Sequence, residues 1–386
     1  MKKLVYFILL LWATGCKEKY DLPFEQPVSG YLVIEGVINS SGDSTFIELS
    51  RTSKINSGGK EYEHGAMVQV EGEDNSSSVL TEINTGIYSK PLSLDNNTRY
   101  RLRIKTREGK EYLSDYEQVK ITPAIDSISF QKEGDGIWLQ FNTHDPNNDT
   151  RYYKWDYHET WEFLSEYGSF LKFSSEIGTN GRPTYWIGFK DSVRFSQDTA
   201  IYRCWRSASS TSLLLGSSAK LSNDLIYRLP FLYIPAGDKR ISELYSIYVR
   251  QYALTKEAYE FLEKMKKNTE ENGSIFDPQP SQLKGNIHCI TTPEEPVIGY
   301  ISISTISEKR LFISPRQLPF WNYRSGCEEE PVRNNPDSIA VASQSGAIPT
   351  RILEMVGNSI LYFGVSTPEC VDCTRTGTNV KPAFWP

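Results

Sequence analysis

The chain contains few histidines and no excess of basic residues. Its 386 residues include 4 His, 42 Lys and Arg, and 48 Asp and Glu, which gives a net charge of −6 at pH 7. Four imidazoles leave little room for a histidine metal centre or for histidine acid–base chemistry. Proteins that bind nucleic acid need a basic footprint against the phosphates, so the acidic balance argues against nucleic acid as a partner.

The motifs that identify common enzyme classes are also missing. The sequence has no P-loop, no dinucleotide-binding GxGxxG and no GxSxG nucleophile elbow. Ser217 and Lys220 fit the SxxK spacing of an acyl-enzyme, but they follow an apolar strand and lack the partner motifs. His158 and Glu162 resemble part of a zinc protease motif without its second histidine. We therefore assign no catalytic residue, no metal and no cofactor from the sequence.

Long apolar runs are absent except at the N-terminus. Residues 4–13 form an apolar segment behind Lys2 and Lys3, which is too short for a bilayer of about 30 Å. The sequence Ala13-Thr14-Gly15-Cys16 follows, and small residues directly before a cysteine are typical of a bacterial lipobox. We predict a lipoprotein signal peptide over residues 1–15 and lipidation of Cys16, whose acyl chains would anchor the protein to the membrane.

Residues 16–27 predict a lipidated tether, because they are polar, contain two prolines and show no periodic pattern. The charged residues 17–21 resemble the surface-export signals of lipoproteins in Bacteroidetes-type bacteria. This resemblance favours the cell-surface side of the outer membrane over its periplasmic face.

Aromatic residues are abundant, with 8 Trp, 23 Tyr and 17 Phe, and this composition favours β structure. Short alternating segments predict an N-terminal β-sandwich over residues 28–122. In residues 99–106, for example, Tyr100, Leu102 and Ile104 alternate with basic residues. Turn residues recur about every ten positions, which is typical of an immunoglobulin-like or transthyretin-like sandwich.

A second β domain is predicted over residues 123–386. The segments 125–132, 137–143 and 152–161 resemble the first strands of a fibronectin type III sandwich. Residues 320–386 are rich in Pro, Gly and Cys and predict an irregular tail attached to this domain.

One helix is predicted within the second domain, over residues 255–267. Thr255 can cap its N-terminus, and the lysines fall near its C-terminus. The apolar stripe expected to face the protein consists of Ala258, Phe261, Leu262 and Met265.

Five cysteines remain besides Cys16. The envelope is oxidising, so disulfides can form, and an odd number leaves one thiol over. We predict disulfides that hold the tail to the core, with Cys289 as the free thiol. The four candidates, with three pairings open, are Cys204, Cys327, Cys370 and Cys373. The lone CxxC lacks the second pair or the histidines that zinc would require.

A row of aromatic residues in 152–161 provides the candidate ligand or partner residues. Strand alternation places Tyr153, Trp155, Tyr157 and Trp161 on one face and Tyr152 on the other. We interpret the Trp155 face as core. An exposed row of such rings would instead stack a sugar or a peptide, or anchor a partner.

Several segments match a known pattern: residues 152–161, Cys204-Trp205, 245–255, 277–281, Gly285-Asn286, 297–301 and the tail 370–385, which reads CxDCxxxGxNxKPxFW. Together with the lipobox they resemble the Bacteroidetes lipoprotein family of unknown function DUF4249, over nearly the whole mature chain. Thr376 stands where the family often has a second glycine. The resemblance implies no catalytic residues, and it implies a TonB-dependent outer-membrane barrel as partner, because such proteins are usually encoded beside these transporters.

We therefore expect a surface-exposed, non-enzymatic accessory lipoprotein that helps a TonB-dependent transporter capture a ligand. The alternatives are an envelope hydrolase, either a peptidase or a glycosidase, with dispersed carboxylates, and an adhesin or scaffold lipoprotein. A cleft with converging carboxylates of raised pKa would favour the hydrolase. A broad, flat apolar patch would favour docking of a partner.

Overall fold

The structure is a computed structural model that describes residues 30–52, 60–190, 199–270 and 284–386. The predicted signal peptide, Cys16, the tether and the segment 277–281 lie outside these residues. Within the described ranges, no helix is both long enough and apolar enough to cross a bilayer.

The first part of the chain forms one strongly curved sheet. Its alternating sequence pattern is confirmed, because Tyr100, Leu102 and Ile104 are all buried. Their side chains join a core of Leu, Ile and Val residues from the neighbouring strands. The strands are β1 (Leu32–Asn39), β2 (Ser41–Arg51), β3 (Glu61–Tyr62), β4 (Met67–Gly72), β5 (Ser77–Asn84), β6 (Ile87–Ser93), β7 (Arg99–Lys105), β8 (Glu111–Ser114) and β9 (Glu117–Gln118).

A later segment, residues 285–304 and termed the closing segment, covers both ends of this sheet. The path β8-β7-β4-β5-β6-β2-β1 has two open ends. The strand Ile287–Cys289 pairs antiparallel with β8, whereas Val297–Ile298 and Ser302–Ser304 pair parallel with β1. This segment falls within the predicted second domain, but it completes the core of the first. The two units are therefore interlocked.

The second unit is a sandwich of two sheets, in the arrangement expected of a fibronectin type III-like fold. A three-stranded sheet, in the order β10-β11-β17, faces a larger sheet in the order β15-β12-β18-β22, with β16 also on β12. Buried side chains of both sheets form a single core. The strands are β10 (Ile125–Glu133), β11 (Gly136–His144), β12 (Tyr152–Leu164), β15 (Arg203–Ser209), β16 (Leu214–Ser217), β17 (Leu225–Pro235), β18 (Tyr245–Ala253) and β22 (Ile306–Ile313); the sheet-closing strands between β18 and β22 are β19 (Ile287–Cys289), β20 (Val297–Ile298) and β21 (Ser302–Ser304).

The tail is more regular than the sequence suggests. An expectation of irregular structure over residues 320–386 is wrong in part, because this stretch forms a three-stranded sheet and a helix. The tail packs on a hairpin inserted between β12 and β15, and the small core contains Leu171, Ile187, Ile339 and Phe363. The elements are β13 (Leu171–Ile177), β14 (Pro183–Phe189), β23 (Glu330–Arg333), β24 (Ile348–Val356), β25 (Ser359–Ser366) and the helix Pro336–Gln344.

The predicted helix is confirmed and spans Lys256–Glu270. The side-chain hydroxyl of Thr255 accepts a 3.2 Å hydrogen bond from the main-chain N–H of Ala258, so Thr255 caps the helix as expected. Ala258 and Phe261 are buried. Short helices span Thr199–Tyr202 and Pro368–Val371, and 3₁₀ turns span Lys239–Ile241, Pro315–Gln317 and Cys373–Arg375.

The cysteine prediction is confirmed. Two disulfides join Cys204 to Cys373 and Cys327 to Cys370, while Cys289 is a free, buried thiol. The first disulfide ties the tail to β15 of the large sheet. The mainly β architecture with a disulfide-stapled C-terminal region is thus as predicted.

Candidate functional site

Two of the five candidate aromatic residues build the sandwich core. Tyr153 and Trp155 are essentially inaccessible to solvent. The indole N–H of Trp155 donates a 2.7 Å hydrogen bond to the side-chain oxygen of Gln251, and the hydroxyl of Tyr153 hydrogen-bonds to the Asp224 carboxylate. Both polar groups are satisfied inside the protein, so these side chains have no group left for a ligand.

Two more pack against neighbouring elements. The ring of Tyr152 lies 5.1 Å, centroid to centroid, from Tyr259 of the helix Lys256–Glu270. The ring of Tyr157 lies 5.6 Å from Phe231 on the facing sheet. These distances are typical of aromatic packing within a protein. Both residues keep some exposure, but each already has an aromatic partner.

The fifth, Trp161, stands at the rim of an open hollow at one end of the sandwich. Strand β12 is 13 residues long, and its inward-facing positions continue to Trp161 and Phe163, which close the sandwich core at this end and are 9% and 1% exposed. Arg206 on β15 and the turn after β17 complete the walls. The hollow has a volume of about 410 Å³, and its lining includes Glu159, Trp161, Phe163, Arg206, Lys239 and Arg240.

A buried ion pair fixes the turn that forms the base of the hollow. The Glu159 carboxylate accepts hydrogen bonds from the Arg240 guanidinium at 2.9 Å and from the Tyr245 hydroxyl at 2.7 Å. Asp238 binds the same guanidinium at 2.9 Å, and its main-chain carbonyl accepts a 3.1 Å bond from the Trp321 indole. Burial, reinforced by the charge of Glu159, raises the pKa of Tyr245. Arg240 is therefore fully engaged within the protein.

Two other cations face the hollow. The Lys239 Nζ lies 4.0 Å from the centre of the Phe163 ring, and the Arg206 guanidinium carbon lies 5.9 Å from that of Trp161. Among the described residues, no carboxylate forms an ion pair with either cation. Burial lowers the pKa of Lys239, and the nearby charge of Arg206 lowers it further. This hollow, termed the cationic hollow, thus carries two positive charges that no acid in the described part of the chain neutralises by an ion pair.

The C-terminal tail contributes the last wall. Thr376 lines the hollow and lies three residues beyond Cys373, whose disulfide holds the tail on β15. The main chains of Trp205 and Thr378 exchange two hydrogen bonds, of 2.7 and 2.8 Å, next to it. The sequence predicts the staple but gives no indication that it borders a site. The sequence also does not single out Arg206 or Lys239, because a cation on a strand or in a turn ordinarily indicates only a solvated surface.

A second hollow, of about 510 Å³, lies between the helix Lys256–Glu270 and the closing segment of the first sheet. Acids outnumber bases in its walls, which contain Asp115, Glu117, Glu257 and Glu260 beside Lys264 and Lys284. Burial raises the pKa of Glu117, and the charges of Asp115 and Glu257 add to that rise. The Glu117 carboxylate accepts hydrogen bonds from the Tyr300 hydroxyl at 2.8 Å and from the Asn286 amide at 3.0 Å. Tyr300 and Asn286 belong to the closing segment, so Glu117 joins the two parts of the chain.

The enzyme-like motifs do not form the geometry that their chemistry needs. Ser217 is the last residue of strand β16, and its hydroxyl accepts a 3.1 Å hydrogen bond from the main-chain N–H of Ala219. Because Ser217 and Lys220 do not lie on a helix, the lysine is not directed toward the serine as the SxxK chemistry requires. His158 and Glu162 lie four residues apart on β12, which separates them by roughly 13 Å. In the described part of the chain, no three His, Cys, Asp or Glu side chains are placed to hold a metal ion.

Comparison with known proteins identifies the family. No curated protein matches the chain. The model of the family DUF4249, described as a domain of unknown function, matches residues 17–310. This range includes the curved sheet, the sandwich up to residue 310 within β22, and every wall of the cationic hollow except Thr376. The match spans well over half of the sequence, and the chain therefore belongs to the DUF4249 family.

Proposed function

We propose that this protein is a non-enzymatic lipoprotein on the cell-surface side of the outer membrane, where it captures a ligand for a TonB-dependent transporter. The observation that carries the capture role is the open hollow in which Arg206 and Lys239 lie over aromatic rings, with no carboxylate partner among the residues that the structure describes. Concave sites with aromatic walls and a few fixed polar groups are typical of small-molecule binding. The protein holds these groups in place with a buried ion pair and a disulfide.

The membrane anchor and the transporter partner rest on the sequence. The lipobox ending at Cys16 supports acylation, and several acyl chains give stable anchoring where a single chain gives only marginal binding. The DUF4249 resemblance supports a TonB-dependent barrel, because such proteins are usually encoded beside these transporters. A protein anchored beside a barrel can raise the local concentration of the ligand at the barrel entrance.

Affinity purification from the native membrane tests this proposal. A C-terminally tagged chain at native expression would be extracted from the outer membrane in mild detergent, and its partners identified by mass spectrometry. We expect a TonB-dependent barrel in stoichiometric amount. Recovery of the chain alone would overturn the transporter association. A Cys16→Ser variant is the matched control, because it leaves every described residue unchanged and should be lost from the membrane fraction.

An envelope hydrolase is the second candidate, and Glu117 is the observation that favours it. Its raised pKa, beside Asp115 and Glu257 in the acidic hollow, is what a general acid requires. Screens of glycan and peptide hydrolysis on the wild type and on Glu117→Gln separate the two functions. Turnover by the wild type that the variant loses would establish the hydrolase. If neither the wild type nor the variant shows turnover, the hydrolase function is rejected and Glu117 remains a structural link between the two units.

A further inference from the structure

We propose that the hollow lined by Trp161, Phe163, Arg206 and Lys239 binds the carboxylate of a small organic acid, whose apolar part lies against Ala208 and the accessible edge of Trp161. This inference rests on the proposed capture function and specifies its ligand class.

The charge of the hollow selects an anion. Glu159 and Asp238, the acidic groups at its base, are both bound to Arg240, so their charges are compensated within the protein. Arg206 and Lys239 contact aromatic rings instead of carboxylates. An anion bound between these two cations would neutralise their charge. It would also offset the free energy needed to keep Lys239 charged, because burial lowers the pKa of this group.

The donor geometry favours a carboxylate among anions. A guanidinium presents paired N–H donors that match the two oxygens of a carboxylate, and an ammonium adds a compact positive charge. Arg206 lies on β15 and Lys239 on the turn after β17, so the two donors reach the hollow from different walls. A single carboxylate can therefore be held from two sides.

The walls favour an acid that also has an apolar body. The partly exposed Ala208 and the accessible edge of Trp161, which is 9% exposed, supply carbon surface beside the cations, whereas the Phe163 ring is buried beneath Lys239. A bare inorganic anion would leave this surface in water, whereas an aryl or alkyl group would cover it. A volume of about 410 Å³ lies within the usual range for small-molecule sites and is too small for a folded partner.

Ligand binding to the purified full chain tests the proposal with three probes: benzoate, its neutral analogue benzamide, and inorganic phosphate. Dissociation constants would be measured by NMR titration. We expect benzoate to bind at least about tenfold more tightly than benzamide, because a hydrogen-bonded charge pair is usually worth that factor. We expect phosphate to bind more weakly than benzoate. Equal affinity for benzoate and benzamide, or phosphate as the strongest ligand, would overturn the proposal.

Two variants test whether benzoate binds in this hollow. Arg206→Gln and Lys239→Met should each weaken benzoate about tenfold. Lys132→Met is the matched control, because the Lys132 Nζ lies at the same 4.0 Å from the Phe320 ring but outside the hollow; its affinity should not change. Thermal unfolding of each variant verifies folding. Unchanged binding in both hollow variants would place the site elsewhere. Benzoate binding without a co-purified barrel would retain this site and reject only the transporter association.

Discussion

The guanidinium of Arg240 donates a 2.9 Å hydrogen bond to the carboxylate of Glu159, which is only 6% exposed. The two residues are 81 positions apart in sequence, one in the turn after β17 and the other in the middle of β12. The Tyr245 hydroxyl binds the same carboxylate oxygen. This contact connects the base of the cationic hollow to the sandwich core, so the hollow and the core should lose order together.

Replacement of Glu159 should therefore destabilise the protein strongly. Glu159→Ala removes one of the two carboxylates bound to Arg240 and the carboxylate bound to the Tyr245 hydroxyl, and leaving these buried donors without that acceptor costs about 2–3 kcal/mol in the free energy of unfolding. Urea unfolding measures the loss. Glu263→Ala is the control, because it breaks only the exposed pair with Lys267, which is worth less than about 0.5 kcal/mol. Equal unfolding midpoints for the two variants would contradict the prediction.

The two disulfides should differ in their contribution to stability. Cys204–Cys373 links residues 169 positions apart, and Cys327–Cys370 links residues 43 apart. A cross-link stabilises by about 2–4 kcal/mol, with more expected from the longer loop, because it restricts the unfolded chain. The double variant Cys204→Ala/Cys373→Ala should unfold at a lower temperature than Cys327→Ala/Cys370→Ala. The opposite order in thermal unfolding would show that native-state contacts outweigh the loop length.

The parts of the fold that the sequence predicts well are those with local signals. Period-two alternation identifies β7, because Tyr100, Leu102 and Ile104 must all reach one face. The apolar stripe and the capping Thr255 identify the helix. The cysteine set follows from its number and from the oxidising compartment. Each of these signals lies within a short window or depends on composition alone.

The cationic hollow could not be predicted in the same way. Trp161 and Phe163 are visible as part of an aromatic row, but alternation alone does not tell which buried rings border a surface hollow. Arg206 and Lys239 reach these rings from a neighbouring strand and from a distant turn. The return of residues 287–304 to the first sheet is hidden for a similar reason, because strands of two or three residues have no detectable period.

Two histidines should titrate on opposite sides of the ordinary imidazole pKa of 6.5. The Asp126 carboxylate, hydrogen-bonded to His144 Nδ1 at 2.8 Å, raises the pKa of His144. Burial lowers the pKa of His158, and the charges of Arg310 and Arg250 lower it further. NMR titration measures both values, with assignment by His144→Asn and His158→Asn. In the Asp126→Asn variant, the His144 value should fall toward 6.5 while the His158 value stays unchanged.

The two shifts have opposite effects on stability. The folded pKa of His144 is above its unfolded value, so its contribution is complete below about pH 6.5 and declines as the pH rises through the folded value. The folded pKa of His158 is below its unfolded value, so its contribution is present above about pH 6.5 and is lost as the pH falls through the folded value. Identical titration midpoints for the two imidazoles would contradict both assignments.

Gly285 should tolerate no side chain, because the closing segment passes very near itself there. A Cβ at Gly285 would lie 1.6 Å from the carbonyl oxygen of Gly299, and a Cβ at Gly299 would lie 2.3 Å from that of Ile34 on β1. Both neighbours are main-chain atoms that cannot rotate away, and Gly299 has a φ of +142°, which disfavours any side chain.

Gly285→Ala should therefore cost about 3 kcal/mol in the free energy of unfolding, at the upper end of overpacking effects. It should also speed amide hydrogen exchange in β1, because β20 would be displaced from its parallel pairing with Leu32 and Val33. Gly188→Ala is the matched control, since its Cβ would approach no atom closer than 3.8 Å, and its unfolding midpoint should not change. Unaltered exchange in β1 for Gly285→Ala would mean that the first sheet does not depend on the closing segment.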